Sequence, residues 1–191
     1  MYCILDTETT DLHPGQIGQL SYICLDDNFH YTQAKNHFFT VERMSPGAEA
    51  IHGFSQNKLE YLSGGKSFAD CIDEIANDLY DQTLVIHNSP FDVRFLTAEY
   101  ETARHEVNRK NEQCTMRYFT NICQVPKYNG PWYKRPKVAE LMDFFAISDG
   151  DILHKAQEVF ASDEIGFHDA RFDTAALLCA LERHGREKFL K

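Results

Sequence analysis

The chain has 191 residues, 43% of them hydrophobic, and a formal net charge of −10. That length suits one domain, residues 1–191, with a sizeable core and no room for a separate polymerase domain, so any polymerase or repair partner is expected in trans. The charge excludes a protein that coats long duplexes by neutralising phosphates, though not one that grips a single chain end.

Tyr2 to Asp6 reads as a short apolar strand, and Gln16 to Leu25 and His30 to Val41 as two more β-rich segments around a turn at Asp26-Asp27-Asn28. The opening MYCILDTETT carries no basic leader, so neither a secretory signal nor a transit peptide is expected. After Ser45-Pro46-Gly47 the period turns helical, and Ser67 to Tyr80 puts Phe68, Cys71, Ile72, Ile75, Ala76 and Leu79 on one stripe. Leu84-Val85-Ile86 is a short buried strand, and Ser89-Pro90 reads as N-cap and first-turn proline of a helix through Phe95 and Leu96. Lys127 to Pro136 is an irregular proline-rich loop. Val138 to Phe145 resumes helical spacing, and a last helix runs from about Asp169 to His184. This order implies a mixed sheet covered by helices. No window approaches the roughly 20 apolar residues of a membrane span, so no membrane association is expected. Six cysteines without CxxC pairs suit a reducing, cytoplasmic setting.

Four carboxylates and one histidine stand out. Asp6 and Glu8 lie two apart at a strand end, so both side chains share a face; the pair is either a solvated acidic turn or a cation site. Asp92 falls in the first turn of its helix, where it either complements the helix dipole or points at a ligand. Asp173 shares its helical stripe with Leu177, Ala180 and Leu181, so it faces the core and needs a partner: a cation, or a buried Arg or Lys. His168 lies about 140° from Asp173 on an ideal helix and therefore belongs to the preceding loop, as an ordinary polar residue or as a base near neutral pH. Hard oxygen ligands without cysteine suit Mg2+ or Mn2+, and two such ions support phosphodiester hydrolysis.

Taken together, Asp6-Thr7-Glu8-Thr9-Thr10, His87-Asn88-Ser89-Pro90-Phe91-Asp92 and His168-Asp169-Ala170-Arg171-Phe172-Asp173 resemble, in order and separation, the three motifs of the DEDDh 3′-to-5′ exonucleases. That family includes proofreading subunits of bacterial replicative polymerases and RNase T-like enzymes. The resemblance implies an α/β, RNase H-like mixed five-stranded sheet flanked by helices. It implies two Mg2+ or Mn2+ ions on Asp6, Glu8, Asp92 and Asp173, and His168 as the base that deprotonates the attacking water. Ala50-Ile51-His52-Gly53-Phe54 looks like the family's HG element, which lies against the terminal nucleotide; a glycine-capped helix end explains His52-Gly53 equally well. Thr9 and Leu12 match positions that contact the 3′ end, and Asn88 is one of the polar groups around Asp92 expected to meet substrate. Asp11, Thr174 and Cys114-Thr115 depart from the common pattern without removing a reacting group.

The implied substrate is a single-stranded nucleic acid 3′ end, DNA favoured over RNA by the resemblance alone. RNA trimming, or a non-catalytic nucleic-acid-binding module, are the alternatives. From Gln113 to Ala139 there is no acidic residue, while Arg117, Lys127, Lys134, Arg135 and Lys137 give +5, so the rest of the chain carries −15, the total of −10 less that +5. Interleaved with Tyr128, Trp132 and Tyr133, these cations either bind a single strand or belong to a loop that covers the core.

Overall fold

The computed structural model describes residues 1–13 and 15–189. Five strands, β1 (Tyr2–Thr9), β2 (Ile17–Leu25), β3 (Tyr31–Phe38), β4 (Thr83–Ile86) and β5 (Asn111–Cys114), form one mixed sheet in the order β3-β2-β1-β4-β5. β1, β2 and β3 make an antiparallel meander. Its second turn is fixed by the Asp26 carboxylate, which accepts hydrogen bonds from the Asn28 and His30 amides at 2.9 and 2.8 Å. β4 and β5 run parallel to β1.

The helices are α1 (Pro46–His52), α2 (Gln56–Ser63), α3 (Phe68–Leu79), α4 (Ser89–Thr102), α5 (Thr115–Tyr118), α6 (Thr120–Cys123), α7 (Val138–Phe145), α8 (Asp149–Phe160), α9 (Ala170–His184) and α10 (Arg186–Phe189). Strand alternation sorts them into two layers. Cys3 and Leu5 of β1 pack with Leu20 and Tyr22 of β2 against the α3 stripe of Phe68, Ile72, Ile75 and Leu79 and against Phe95 and Leu96 of α4. Ile4 and Ile23 face the other way, onto Ala175, Ala176 and Leu178 of α9, with α7 and α8 outside it. The result is a three-layer α/β/α arrangement.

The structure adds β5, helices α1, α2 and α8 and the single-turn helices α5, α6 and α10 to the elements read from the sequence. Each has a weak hydrophobic signature: β5 is Asn-Glu-Gln-Cys with no buried side chain, α2 buries only Leu59, and α8 buries three residues. Helix α4 begins one residue earlier than expected. Its N-cap is Asn88 in the left-handed region at φ 70°, a conformation asparagine tolerates better than most residues, and Ser89 is the first helical residue rather than the cap. β3 stops at Phe38 instead of reaching Val41, because the Phe39 and Thr40 amides turn to the carbonyls of Gly18 and Lys66. All six cysteines are free thiols. Among the described residues no helix is long and apolar enough to cross a membrane.

Candidate active site

The pleat of β1 decides where the acidic residues point. Asp6 and Glu8 continue the face of Ile4 and look toward α9, opposite Ser21 and Gln19 of β2. Asp173, the fourth residue of α9, comes down onto them. One carboxylate oxygen from each of Asp6, Glu8 and Asp173 can be chosen so that all three lie within 4.8 Å of one another. Thr7, between the two acids, faces the opposite layer and donates its hydroxyl to Asp92 Oδ1 of α4 at 2.8 Å. Asp92 is almost wholly buried at 3% exposure. It stands outside the 4.8 Å group, yet its charge helps to raise both Asp6 and Glu8.

Crowding carboxylates in a partly dry cleft disfavours their ionised forms. Burial, then the charge of Asp173, holds Asp6 well above the ordinary carboxylate range. The same two causes push Glu8 up to about 9. Burial raises Asp92 to about 7 against the opposing hydrogen bonds from Thr7. Burial raises Asp173 to about 6, with the charge of His168 working the other way. Among the described residues no Arg or Lys forms an ion pair with Asp173, and the guanidinium of Arg171, two positions before it, is held by Asp169. Hard, crowded oxygen donors of this kind fit a divalent cation, which would remove the mutual repulsion.

His168 sits on the loop before α9, exposed, with a left-handed backbone at φ 55°. Its charge is felt by Asp173 on one side and by His52 on the other. The loop is tied down beside it. The Asp169 carboxylate caps α9 through the Arg171 amide at 2.9 Å and forms a two-pronged ion pair with the Arg171 guanidinium, at 2.9 and 2.6 Å. That guanidinium also donates to the Glu164 carbonyl at 2.7 Å and to Ser162 Oγ at 3.1 Å. Gln19, fully buried in β2, donates to Asp169 Oδ1 at 2.8 Å and accepts from the Ala170 amide at 3.1 Å. The sequence reading missed Gln19 and Arg171. The available signal was a glutamine inside the strand Ile-Gly-Gln-Leu-Ser-Tyr-Ile-Cys-Leu, every residue of which is buried, because a buried amide needs partners.

Next to the acids, Thr9, Leu12, Ile51 and His52 line a cleft of about 340 Å3 together with Glu8 and Phe91. His52 Nδ1 accepts from the Phe54 amide at 3.0 Å, so the ring hydrogen is on Nε2, which donates to the Thr9 carbonyl at 3.2 Å. Burial lowers the His52 pKa, consistent with this neutral ring. Two further residues expected to meet substrate, Gly53 and Asn88, are not among those lining this cleft. Gly53 ends α1 in the left-handed conformation at φ 72° and so sets the direction of His52. Asn88 serves as the N-cap of α4. Its neighbour His87 is a buried tie, bonded to Thr115 Oγ1 and to the Pro136 carbonyl at 3.0 Å each.

No protein-family model matches the chain. Among curated proteins, it is similar to the DNA polymerase III epsilon subunit of Rickettsia felis, 35% identical over 106 residues that cover 50% of this chain and 42% of the relative. The epsilon subunit of Escherichia coli K12 is 26% identical over 125 residues, 58% of this chain and 48% of the relative. The chain thus spans about half the length of the curated relatives it matches. Among solved structures, exonuclease X in complex with 5′ overhanging duplex DNA superposes with a TM-score of 0.63 at 20% identity, over 95% of this chain and 92% of the other. A structure of exonuclease I gives 0.73 at 15% identity, over 98% of this chain and 42% of the other. The zinc-bound form of E. coli exonuclease I with single-stranded DNA gives 0.68 at 15%, over 98% and 41%. At these identities the structures establish the fold: an RNase H-like α/β sheet with the carboxylates at its centre. The three motifs that resemble those of the DEDDh exonucleases thus lie in a chain whose curated relatives are epsilon subunits and whose structural neighbours are exonucleases.

Proposed function

We propose that the protein is one domain, residues 1–191, and a divalent-metal-dependent 3′-to-5′ exonuclease that removes nucleoside monophosphates from single-stranded DNA. The observation that carries this reading is the convergence of Asp6, Glu8 and Asp173 within 4.8 Å, with His168 on the adjoining loop and an apolar cleft beginning at Glu8. In this reading Asp6, Glu8, Asp92 and Asp173 hold two Mg2+ or Mn2+ ions, which supply Lewis acidity to the scissile phosphate and the attacking water. Thr7 orients Asp92 and favours its ionised form against the effect of burial. The terminal nucleotide lies in the cleft, its base against Leu12, Ile51 and Phe91, while the neutral His52 holds the Thr9 backbone in place. His168 takes the proton of the attacking water as general base, and Asp169 with Arg171 fixes the loop that carries it. The preference for DNA rests on the relatives, as does a polymerase or repair partner in trans.

The deciding experiment is mononucleotide release from labelled DNA and RNA oligomers of one sequence, with Mg2+, with Mn2+ and with chelator. DNA cleavage from the 3′ end that chelator stops, and that Asp6→Ala abolishes in a folded protein, is expected. Faster cleavage of RNA would reverse the substrate assignment, and undiminished activity in Asp6→Ala would remove the carboxylates from the mechanism.

A further inference from the structure

The acid-free segment 113–139 does not lie flat on the core. Residues 125–134 leave it as a closed hairpin: Pro126 bridges Tyr133, the Lys127 amide meets the Trp132 carbonyl at 3.3 Å, and the Lys134 amide meets the Val125 carbonyl at 2.9 Å. Its aromatic side chains are turned outward, with Tyr128 fully exposed and Trp132 at 73%. Lys134 is engaged by Glu140, which removes it from the cations expected to meet substrate. Lys127, Arg135 and Lys137 are exposed and make no ion pair among the described residues.

The base of this hairpin is held beside the acidic cluster. His87 bonds the Pro136 carbonyl at 3.0 Å. The parallel β1–β4 register pairs Ile4 with Val85, so the end of β4 that leads into His87 lies at the same end of the sheet as the part of β1 that carries Asp6 and Glu8. In the sheet order β3-β2-β1-β4-β5 the hairpin therefore rises on the β4 side of the acids. The cleft lined by Leu12, Ile51 and His52 opens beside α1, with Phe91 entering it from the first turn of α4. Elsewhere the chain is strongly acidic and repels phosphate, whereas the hairpin and the residues just past it offer Lys127, Arg135 and Lys137 beside the flat faces of Tyr128 and Trp132, with Lys137 also lending its charge to Glu140; cations beside aromatic faces are the pairing that holds single strands.

Resting on the exonuclease reading, we propose that this hairpin is the upstream strand-binding element: nucleotides 5′ of the scissile bond leave the carboxylates toward β4, stack on Trp132 and Tyr128, and set their phosphates against Lys127, Arg135 and Lys137. The strand is then held on both sides of the bond that breaks, its 3′-terminal base in the cleft and its preceding bases on the hairpin.

Two variants, Tyr128→Ala/Trp132→Ala and Lys127→Gln/Arg135→Gln/Lys137→Gln, change only exposed side chains and are expected to fold as the parent does. Each is assayed on a single-stranded 12-mer and on the p-nitrophenyl ester of thymidine 5′-monophosphate, which has no upstream nucleotide. The expected result is a KM raised about tenfold or more on the 12-mer, with ester hydrolysis unchanged. The salt slope of the triple variant should fall by about 2, at about 0.7 per lost phosphate contact on a single strand. Trp132 is the sole tryptophan of the chain, so its emission reports stacking directly in the unmodified protein. Saturating phosphorothioate (dT)12, which resists hydrolysis, should quench it, and thymidine monophosphate should not. A wild-type protein inactive on both substrates defeats the exonuclease reading, and the quenching titration then decides the strand-binding assignment by itself. Unchanged emission, or a 12-mer KM within twofold of wild type in both variants, overturns the proposal and leaves the hairpin free to dock a protein.

Discussion

Replacing Arg171 by methionine keeps the length and apolar stem of the side chain and removes its charge. The guanidinium is 11% exposed and its partner Asp169 is 7% exposed, at 2.6 Å, so the variant leaves a buried carboxylate unpaired. Removing one member of a buried pair typically costs about 3–5 kcal/mol, and here the environment points to the upper part of that range, since Asp169 already raises Asp6, Glu8 and Asp173. In a domain of this size each kcal/mol lowers Tm by about 2–4 °C, giving a fall of roughly 6–20 °C. Thermal unfolding followed by circular dichroism, with chelator present, measures it. Asp169→Asn added to Arg171→Met removes the stranded charge while keeping an oxygen that caps α9 and accepts from Gln19, so the double variant should recover at least half the loss. A cost below about 1 kcal/mol, or a double variant no more stable than the single, would refute the idea that this pair secures the lead-in to α9.

The raised carboxylates also fix a pH dependence. Glu8, Asp92 and Asp173 titrate at about 9, 7 and 6 in the folded chain, above the ordinary range near 4 of the unfolded chain. Between pH 4 and 9 the folded form therefore binds more protons, and stability without divalent ions falls as pH rises through that window. Thermal shifts from pH 5 to 9 test this, and a rise in Tm over that range in chelator would contradict the sign. Mn2+ or Mg2+ should reverse the trend, with a larger Tm gain at pH 8 than at pH 5, read in the same scans. Thr7→Val deletes the hydroxyl that holds Asp92 down, so the acidic limb of kcat/KM should move to higher pH; a limb that stays in place separates Thr7 from Asp92. Asp6→Asn should remove nuclease activity but raise the metal-free Tm at pH 8, because one of the mutually repelling acids is gone, and a lowered Tm would argue that Asp6 is structurally required.

The first two strands, the α3 stripe and the final helix were legible in the sequence because each carries a strong hydrophobic pattern, and the polar β3 because it follows the turn at Asp26-Asp27-Asn28. The sequence said little about β5 or α1, α2 and α8, whose folding depends on neighbours supplied by the rest of the chain. The acids themselves were visible as a pattern. The geometry around them was not: Arg171 answers Asp169, two positions before it, and among the described residues no Arg or Lys forms an ion pair with Asp173, which only packing could decide. Gly53 and Asn88 were read as substrate contacts; their left-handed backbones, at φ 72° and 70°, also give each a role in ending or starting a helix that the motif alone did not show.

One strand draws both layers into the same centre. Along β1, Asp6 and Glu8 continue the face of Ile4, which packs on α9, while Leu5 packs on α3 and α4 and Thr7 bonds Asp92 of α4, so Asp173 arrives from one layer and Asp92 from the other, the latter through Thr7. A slip of one residue in the β1–β2 register would exchange these faces, carrying Asp6 and Glu8 into the apolar layer and Thr7 toward α9. The packing of Ile4 and Leu5 on opposite sides forbids that slip, since each is fully buried among different helices. The hydrophobic alternation that stabilises the sheet is thus the same feature that fixes which oxygens can share a cation, and a substitution such as Leu5→Asp should abolish folding and ion binding together rather than either alone.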